Sequence, residues 1–394
     1  MKSVSPLKAL ALLPLIGGTL GIAQAASPLL DLGDNACAYF VCDAGIRYVD
    51  NIYATHNKTD DVVFNISPGV QIDIGRESNN RLTIKAQENL LAFVDNDQLN
   101  TQLAIVSAVY KYDAGSALSV EITGGFEQTA QNDNTVSIDG DVVERNYYRG
   151  GIMLGYKLTE KSSLEAGFKY ESFTFRNYRS IFNDQATYAI PVTWLYAVTD
   201  KINAGLTYQY TYTDIDRASI AGSPDPGHQE VHFAGVTVRG ALTEKINLRT
   251  NLGVGYQKFK DREMAGGDDS GATFNFSLAA DYQVTEKLAA SIEAGRRFEV
   301  GGSAQGITNT FVNLNGIYSI SEQWEANANV GYSYQEFEVP STGTDQITTA
   351  GVGISFLPNK YWRISLGYNF TNNDSDRIAD YSINTVALTA SVKY

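Results

Sequence analysis

Sulfur and imidazole are nearly missing from this chain. Cys37 and Cys42 are its only cysteines, and His56, His228 and His232 its only histidines. A zinc or iron–sulfur centre needs several such ligands close together, so the sequence offers no metal site, and it carries no cofactor motif. Basic residues are also scarce, 30 Lys and Arg against 44 Asp and Glu, for a formal net charge of −14. With no basic cluster to offset that charge, nucleic acid is repelled and excluded as a partner. Long hydrophobic runs are missing too. After Ala25 no stretch approaches the roughly 18 consecutive apolar residues of a membrane helix, so any crossing of a membrane is left to strands.

The one apolar run lies at the start. Lys2 and Lys8 precede an apolar segment from Ala9 to Leu20, and Ala23-Gln24-Ala25 follows. This is the layout of a cleavable secretory signal peptide over residues 1–25. A retained anchor is disfavoured by the short run and by Pro14, Gly17 and Gly18. Cleavage removes two lysines and no acid, taking the net charge from −14 to −16.

Cys37 and Cys42 stand in CAYFVC, ahead of the first expected strand. In an oxidising compartment they are candidates for a disulfide; two free or packed thiols are the alternative. Residues 26–43 then read as a short N-terminal segment, periplasmic or tucked into a lumen, ahead of a β-domain over 44–394.

What the sequence has in abundance is alternation. Val62, Phe64, Ile66, Val70, Ile72 and Ile74 occupy one side of a period-two pattern, and Asn65, Ser67, Gly69, Gln71 and Asp73 the other. Such a segment has one apolar and one wet face. It is longer than the five or six residues of a typical soluble strand and matches the roughly 9–11 needed to cross an outer membrane at a tilt. The pattern repeats from Ile202, from Phe274 and from Trp324. The polar rows are rich in Asn, Thr, Ser and Gly, which suits a watered interior.

Short turns recur at ESNN 77, DAGS 113, TEKS 159, TDKI 199, TEKI 243, TEKL 285, SEQW 321 and PNKY 358, spaced by 36 to 46 residues. Longer polar connections alternate with them, around 54–61, 95–100, 128–144, 176–186, 214–229, 260–271, 299–307, 338–346 and 371–381. Eight short turns and nine long loops join 18 strands, with both termini on the short-turn side. The fold class is therefore all-β: an antiparallel up-and-down transmembrane β-barrel of about 18 strands, with short periplasmic turns and longer extracellular loops. The expected address is the outer membrane of a Gram-negative bacterium, with outer-membrane lipid and lipopolysaccharide as surroundings.

The aromatics support that placement. Trp194, Trp324 and Trp362 each lie within about five residues of a short turn and on an apolar row, and Tyr112, Tyr156, Tyr282 and Tyr318 mark the same rim. Amphipathic rings collect where hydrocarbon meets headgroups. The last strand alternates Val386, Leu388, Ala390, Val392 and Tyr394 with Ala387, Thr389, Ser391 and Lys393. An amphipathic final strand ending in Tyr394 resembles the signal read by the outer-membrane barrel-assembly machinery, which makes that machinery an expected partner.

Two local features strain the pattern. Glu88 falls on the apolar row of Leu82, Ile84, Ala86, Leu90, Ala92 and Val94, so a bulge is expected to turn it inward. Pro68 and Pro191 each remove a ladder donor and demand a local break.

The opening hairpins, IRYVDNIYAT, DDVVFNISPGVQIDIGRESNNRLTIKA and DAGSALSVEITGGFEQ, resemble the beta-barrel porin 2 family. Asp50-Asn51-Ile52 and Ser67-Pro68-Gly69 carry the likeness most clearly; beyond about residue 180 only the barrel pattern matches. The resemblance implies an outer-membrane barrel linked to exopolysaccharide traffic, with polysaccharide as a partner, and supplies no catalytic residues.

A barrel of this size is wide enough for water. The expected function is a porin-like passive channel for small polar solutes or saccharides, and not an enzyme. The inward rows carry Asp73, Lys85, Glu121, Arg149, Glu165, Lys169, Arg239, Arg249, Asp281, Glu293, Arg297, Glu325 and Arg363. They either set up a field across the lumen or pair with one another. The excess acid lies in the loops, as at Asp133, Asp139 and Asp141. No loop exceeds about 18 residues, so none is expected to fold inward, and an open lumen or one partly filled by residues 26–43 follows. A structural or surface-interaction barrel with a closed lumen is the alternative. A hydrolase is weaker still: no serine accompanies His232, and only His228, near Asp225, offers an acid–histidine pair.

Overall fold

The computed structural model describes residues 28–394, apart from positions 32, 34, 77, 114, 116, 264–268 and 339–341. The signal-peptide segment lies outside the described residues. A two-residue strand, β1 (Leu30–Asp31), precedes the wall strands β2 (Ala36–Val49), β3 (Asp61–Ile74), β4 (Asn80–Phe93), β5 (Thr101–Asp113) and β6 (Leu118–Ala130). Next come β7 (Glu144–Lys157), β8 (Ser162–Phe175), β9 (Gln185–Ala197), β10 (Ile202–Ile215), β11 (His228–Ala241) and β12 (Ile246–Lys260). The remaining strands are β13 (Ser270–Gln283), β14 (Leu288–Val300), β15 (Gly306–Ser319), β16 (Trp324–Phe337), β17 (Gly343–Phe356), β18 (Trp362–Ser375) and β19 (Tyr381–Lys393).

Strands β2 to β19 pair antiparallel in chain order, and β19 pairs back to β2, with Val386 opposite Tyr48 and Val392 opposite Cys42. The result is the expected closed 18-stranded barrel with one extra short strand. Closure gives every wall strand from β2 to β19 a neighbour on both sides, as a wall facing hydrocarbon requires.

The short turns explain their own motif. The hydroxyls of Thr159, Thr199, Thr243 and Thr285 each accept the backbone N–H groups two and three residues on. Asn359 does the same for Tyr361 and Trp362 through its side-chain oxygen. A side-chain acceptor two residues back mimics a backbone turn, so the repeated Thr-acid-Lys element closes hairpins.

The outer face is the apolar one. Phe64, Ile66, Val70, Leu206, Phe274, Val330, Val352 and Leu366 are all exposed, while their strand neighbours turn into the barrel. Trp194, Trp324 and Trp362 are exposed on that outer face at the short-turn end, as are Tyr156, Tyr282 and Tyr318; Tyr112 stands in the same row. The ladders of β3 with β4 and of β8 with β9 lose their bridges beside Pro68 and Pro191 and resume in unchanged register. No bulge accompanies Glu88. It pairs with Ala104 in continuous register, so it stays in the outward row, contrary to the expected inward turn.

The N-terminal segment also departs from expectation. The wall begins at Ala36 rather than 44, because Ala36–Val49 pairs with β3 along its whole length. Leu30 and Asp31 pair with Ala38 and Cys37 at the short-turn rim, so this part of the segment extends the wall and plugs nothing. Cys37 and Cys42 are both free. Five residues apart on one strand they point to opposite faces, at a separation of about 16 Å, where a disulfide needs Cα atoms within about 7 Å. The expected bridge is therefore excluded by the strand itself.

Candidate functional site

The lumen wall carries the predicted charges on its inner rows, and most are already engaged. Arg239 on β11 meets Glu165 on β8 through two hydrogen bonds of 3.1 and 2.8 Å. The pair reaches over the inner faces of β9 and β10, where Thr193, Thr207 and Gly205 stand low. Arg363 reaches Glu325 at 2.7 Å, two strands away, and Glu121 pairs with Lys111 across one ladder step at 3.2 Å. Arg249 lies 3.6 Å from Asp281, and Arg297 pairs with Glu299 on its own strand. Asp73 accepts from Gln71 and Thr83. Lys85, Arg149, Lys169 and Glu293 have no ion pair among the described residues. Pairing therefore accounts for most of these charges, and four stand apart from it.

A second inner surface is neutral. On β15 to β18 the inward rows carry Asn313, Asn315, Asn327, Asn329 and Asn369, interleaved with Gly331, Gly351 and Gly353. A Cβ on Gly351 would stand 2.4 Å from Asn329 Oδ1 and 2.5 Å from Asn369 Oδ1. One on Gly331 would stand 2.5 Å from Thr349 Oγ1 and 2.6 Å from Asn313 Oδ1. The glycines thus leave room for amide side chains to lie across them, and together they form an uncharged, hydrogen-bonding stripe.

That stripe runs up to a strap across the mouth. The β6–β7 connection, residues 131–143, leaves one wall and docks on the opposite one. Asn134 Nδ2 donates to Gln335 Oε1 on β16 at 2.7 Å and to Asp345 Oδ2 on β17 at 2.8 Å. Arg377, from the β18–β19 loop, donates to the same Asp345 oxygen at 2.7 Å and to the Asn134 carbonyl at 3.2 Å. Its guanidinium lies 3.3 Å from the centroid of the Phe337 ring.

The strap is built to hold this shape. Asn132 Nδ2 donates to the carbonyls of Tyr53, Ile138 and Asp141, and its Oδ1 accepts from Val143 N–H. Asp133 accepts from Thr135 and Val136 and pairs with Arg145 at 3.1 Å. Asp141 accepts from the Tyr178 hydroxyl. Val136 and Val143 are buried against Phe175 and Phe182.

A second strap comes from the β14–β15 connection, residues 301–305. Asn183 N–H donates to the Gly302 carbonyl at 2.9 Å, and Gln185 Nε2 to the Gly301 carbonyl at 2.6 Å. Gly302 sits against Val136, which joins the two straps. The expectation that no loop folds inward is thus overturned. At about 3.3–3.6 Å per residue, an out-and-back path over residues 131–143 reaches about 20 Å, so length alone was the wrong criterion.

Beneath the first strap lies a cavity of about 60 Å³. Asn132, Asp133 and Asn134 roof it, and Asn329, Thr349, Asn369, Thr371 and Tyr381 are among its wall residues. Ile347, Ala350, Phe370 and Ile383 complete the lining, so amide and hydroxyl groups, one carboxylate and one phenol ring share the cavity with an apolar side. None of the strap residues was identifiable as a site in the sequence; the Asn- and Asp-rich run QNDNTVSIDGD was the available signal.

His228 and His232 each have a neighbour other than a serine. His232 stands on the outer row with Tyr208 Oη at 2.8 Å from Nδ1. The expected partner of His228, Asp225, is taken by Arg217 at 2.7 Å. Its carboxyl is held low chiefly by the Gly227 N–H and then by that arginine. His228 lies instead 3.6 Å from Asp261.

No protein-family model matches the chain, and no curated protein matches it. Solved structures do. Pseudomonas aeruginosa OccK2 (OpdF) aligns over 90% of this chain and 98% of its own, at 9% identity and a TM-score of 0.51. Pseudomonas aeruginosa OccK1 (OpdK) aligns over 91% of this chain and 99% of its own, at 10% identity and a TM-score of 0.50. The likeness is one of fold.

Proposed function

We propose that the protein is a porin-like passive channel of a bacterial outer membrane that passes small polar solutes, saccharides foremost. The observation that carries this reading is the neutral amide stripe of β15 to β18 leading to the cavity under the strap. An apolar outer belt around a polar inner wall supports the membrane setting. An uncharged, hydroxyl-matching track supports a sugar over an ion, because neutral amides bind hydroxyls without selecting charge. The link to exopolysaccharide traffic rests on the likeness of the opening hairpins to the beta-barrel porin 2 family and belongs to the same proposal.

The experiment is single-channel conductance of the refolded mature chain in a planar bilayer, with neutral and anionic oligosaccharides added. Stable steps interrupted by neutral sugars are expected, with shorter interruptions in Asn329→Ala and Asn369→Ala. Steps that sugars leave untouched point to a general porin. The two straps across the mouth favour one other reading, a surface barrel with a closed lumen. Protein shown to be folded by heat-modifiable gel migration, yet giving no steps, would establish that reading instead.

A further inference from the structure

The ladder between β13 and β14 is the shortest in the wall. It runs from Gln283 opposite Ala289 to Phe276 opposite Arg296 and stops, although β13 continues to Ser270 and β14 to Val300. Each strand remains paired on its other side, Ser270 to Phe276 with β12 and Arg296 to Val300 with β15. The upper part of β14 has therefore left the wall without losing its strand form.

Its side chains show where it goes. Val300 packs on the buried cluster of Ile215, Phe259 and Ala304. The Phe298 ring lies 3.2 Å from where a Gly255 side chain would begin. Ile215, Gly255 and Phe259 belong to the inner rows of β10 and β12. The face of β14 that points outward at Leu288 and Ile292 thus turns, above Arg296, against the inside of the barrel. Strands β5 and β6 also part near the loops, but there Gln128 Oε1 accepts the Ala104 N–H at 3.1 Å and seals the gap. Among the described residues nothing does so between β13 and β14.

The seam has two unlike lips. On β13, Phe274 and Phe276 stack at 6.1 Å between centroids, and Phe274 is 57% exposed on the outer face. On β14, Arg296 donates to Glu336 at 3.1 Å and stands opposite Thr310. Among the described residues, three buried side-chain atoms along the seam have no hydrogen-bond partner: Asn275 Oδ1, Arg296 Nε and Thr310 Oγ1. Asn275 is only 6% exposed. Buried polar atoms normally find partners, and these three supply an acceptor, a donor and a hydroxyl that is both.

We propose that the β13–β14 seam is a lateral portal between the outer mouth of the lumen and the membrane, and that it takes an amphiphile with a hydroxyl-rich head and one alkyl chain. The head meets Arg296 of β14 and its ladder partner Thr310 of β15 on one side of the seam and Asn275 of β13 on the other. The chain lies on Phe274 and Phe276. No charge is demanded of the head, because Glu336 already neutralises Arg296. This route is separate from axial passage along the amide stripe, though it rests on the barrel spanning a membrane.

The test closes the seam covalently. In a background with Cys37 and Cys42 changed to alanine, Asn275→Cys with Arg297→Cys places thiols one step above the last ladder pair. Ala279→Cys with Glu293→Cys places them at a pair inside the ladder. In liposomes, mild oxidation should join the second pair, which also reports a folded barrel, and join the first at least about fivefold less, since a disulfide needs closely spaced Cα atoms. Equal joining overturns the portal. Unaltered protein in liposomes is also irradiated with an alkyl glucoside carrying a diazirine on its chain. Label concentrated in segments 270–276 and 296–300, and reduced several-fold by Asn275→Leu, supports the portal; label spread evenly around the apolar belt overturns it.

Discussion

Asp345 is wholly buried at the point where the first strap meets the far wall. One of its oxygens receives Asn134 and Arg377, and the other accepts from Ser375 at 2.5 Å. The side chains of Arg377 and Asp345 are 5% and 0% exposed. Breaking such a pair leaves a buried charge without its counterion, at a cost of about 3–5 kcal/mol. Asp345→Asn is therefore expected to undock the strap and raise unit conductance. Asn134→Ala removes two hydrogen bonds and no charge, so its effect should be smaller, about 1–3 kcal/mol. Bilayer recording and protease cleavage within residues 131–143 check both, and a strap equally resistant in Asp345→Asn would refute the assignment. Glu338 gives a pH dependence of definite sign. It lies beyond the end of β16, where burial raises its pKa, partly offset by donation from Gln257. A carboxyl that binds its proton more tightly folded than unfolded contributes stability fully present below its unfolded pKa of about 4.3 and lost as pH rises through the folded value. The melting temperature of Glu338→Gln should thus exceed that of the parent more at pH 7 than at pH 4. An equal difference at both would show that Glu338 carries no such linkage.

At the scale of elements, what was legible follows from where the contacts lie in sequence. Strands announce themselves through alternation, and five of the eight turns through a threonine or asparagine accepting from two and three residues on, so both are readable locally. The strap is not, because Asn134 meets Gln335 and Asp345 over separations of 201 and 211 residues. Its Asn, Asp, Ser and Thr content is also what a solvated loop would show. The cysteines were misread for the opposite reason: their closeness in sequence suggested a bridge, whereas strand geometry sends neighbours five apart to opposite faces. Both thiols should accordingly react with a thiol reagent after denaturation without reductant, and reductant should leave gel migration unchanged. For β14, one residue did signal trouble. Arg296 falls on the row of Leu288, Ala290, Ile292 and Ala294, where an unpaired charge would face lipid, and it is there that the strand leaves the wall. The strap makes its own prediction at this scale. Replacing residues 134–140 by a short glycine-serine link should raise unit conductance and shorten sugar interruptions together, because the lid and the cavity roof are one segment. Raised conductance with unchanged interruptions would place the sugar contact elsewhere.

The molecule as a whole is closed by one ladder, and Tyr394 belongs to the closure. Tyr394 N–H donates to the Phe40 carbonyl at 2.9 Å, and Phe40 N–H donates back to the Tyr394 carbonyl at 2.6 Å. The Tyr394 ring lies tilted against Tyr361, next to the last short turn, with centroids 5.2 Å apart. The backbone bonds do not depend on the side chain, whereas the assembly-signal role we propose for Tyr394 does. These two roles separate experimentally. Tyr394→Ala keeps both backbone bonds and loses one exposed ring contact, worth about 0.5–1.5 kcal/mol, so refolding in detergent should proceed with nearly the parent's yield and heat-modifiable migration. In cells the same variant should reach the membrane at much lower levels, and Tyr394→Phe should restore them. Deleting residues 392–394 is the contrasting case, since it removes the pairs to Cys42 and Val41 as well as the two bonds to Phe40. That truncation should fail to close even in detergent. If Tyr394→Ala instead failed in detergent as badly as the truncation, the ring itself would be part of the closure and its role as an assembly signal would lose its support.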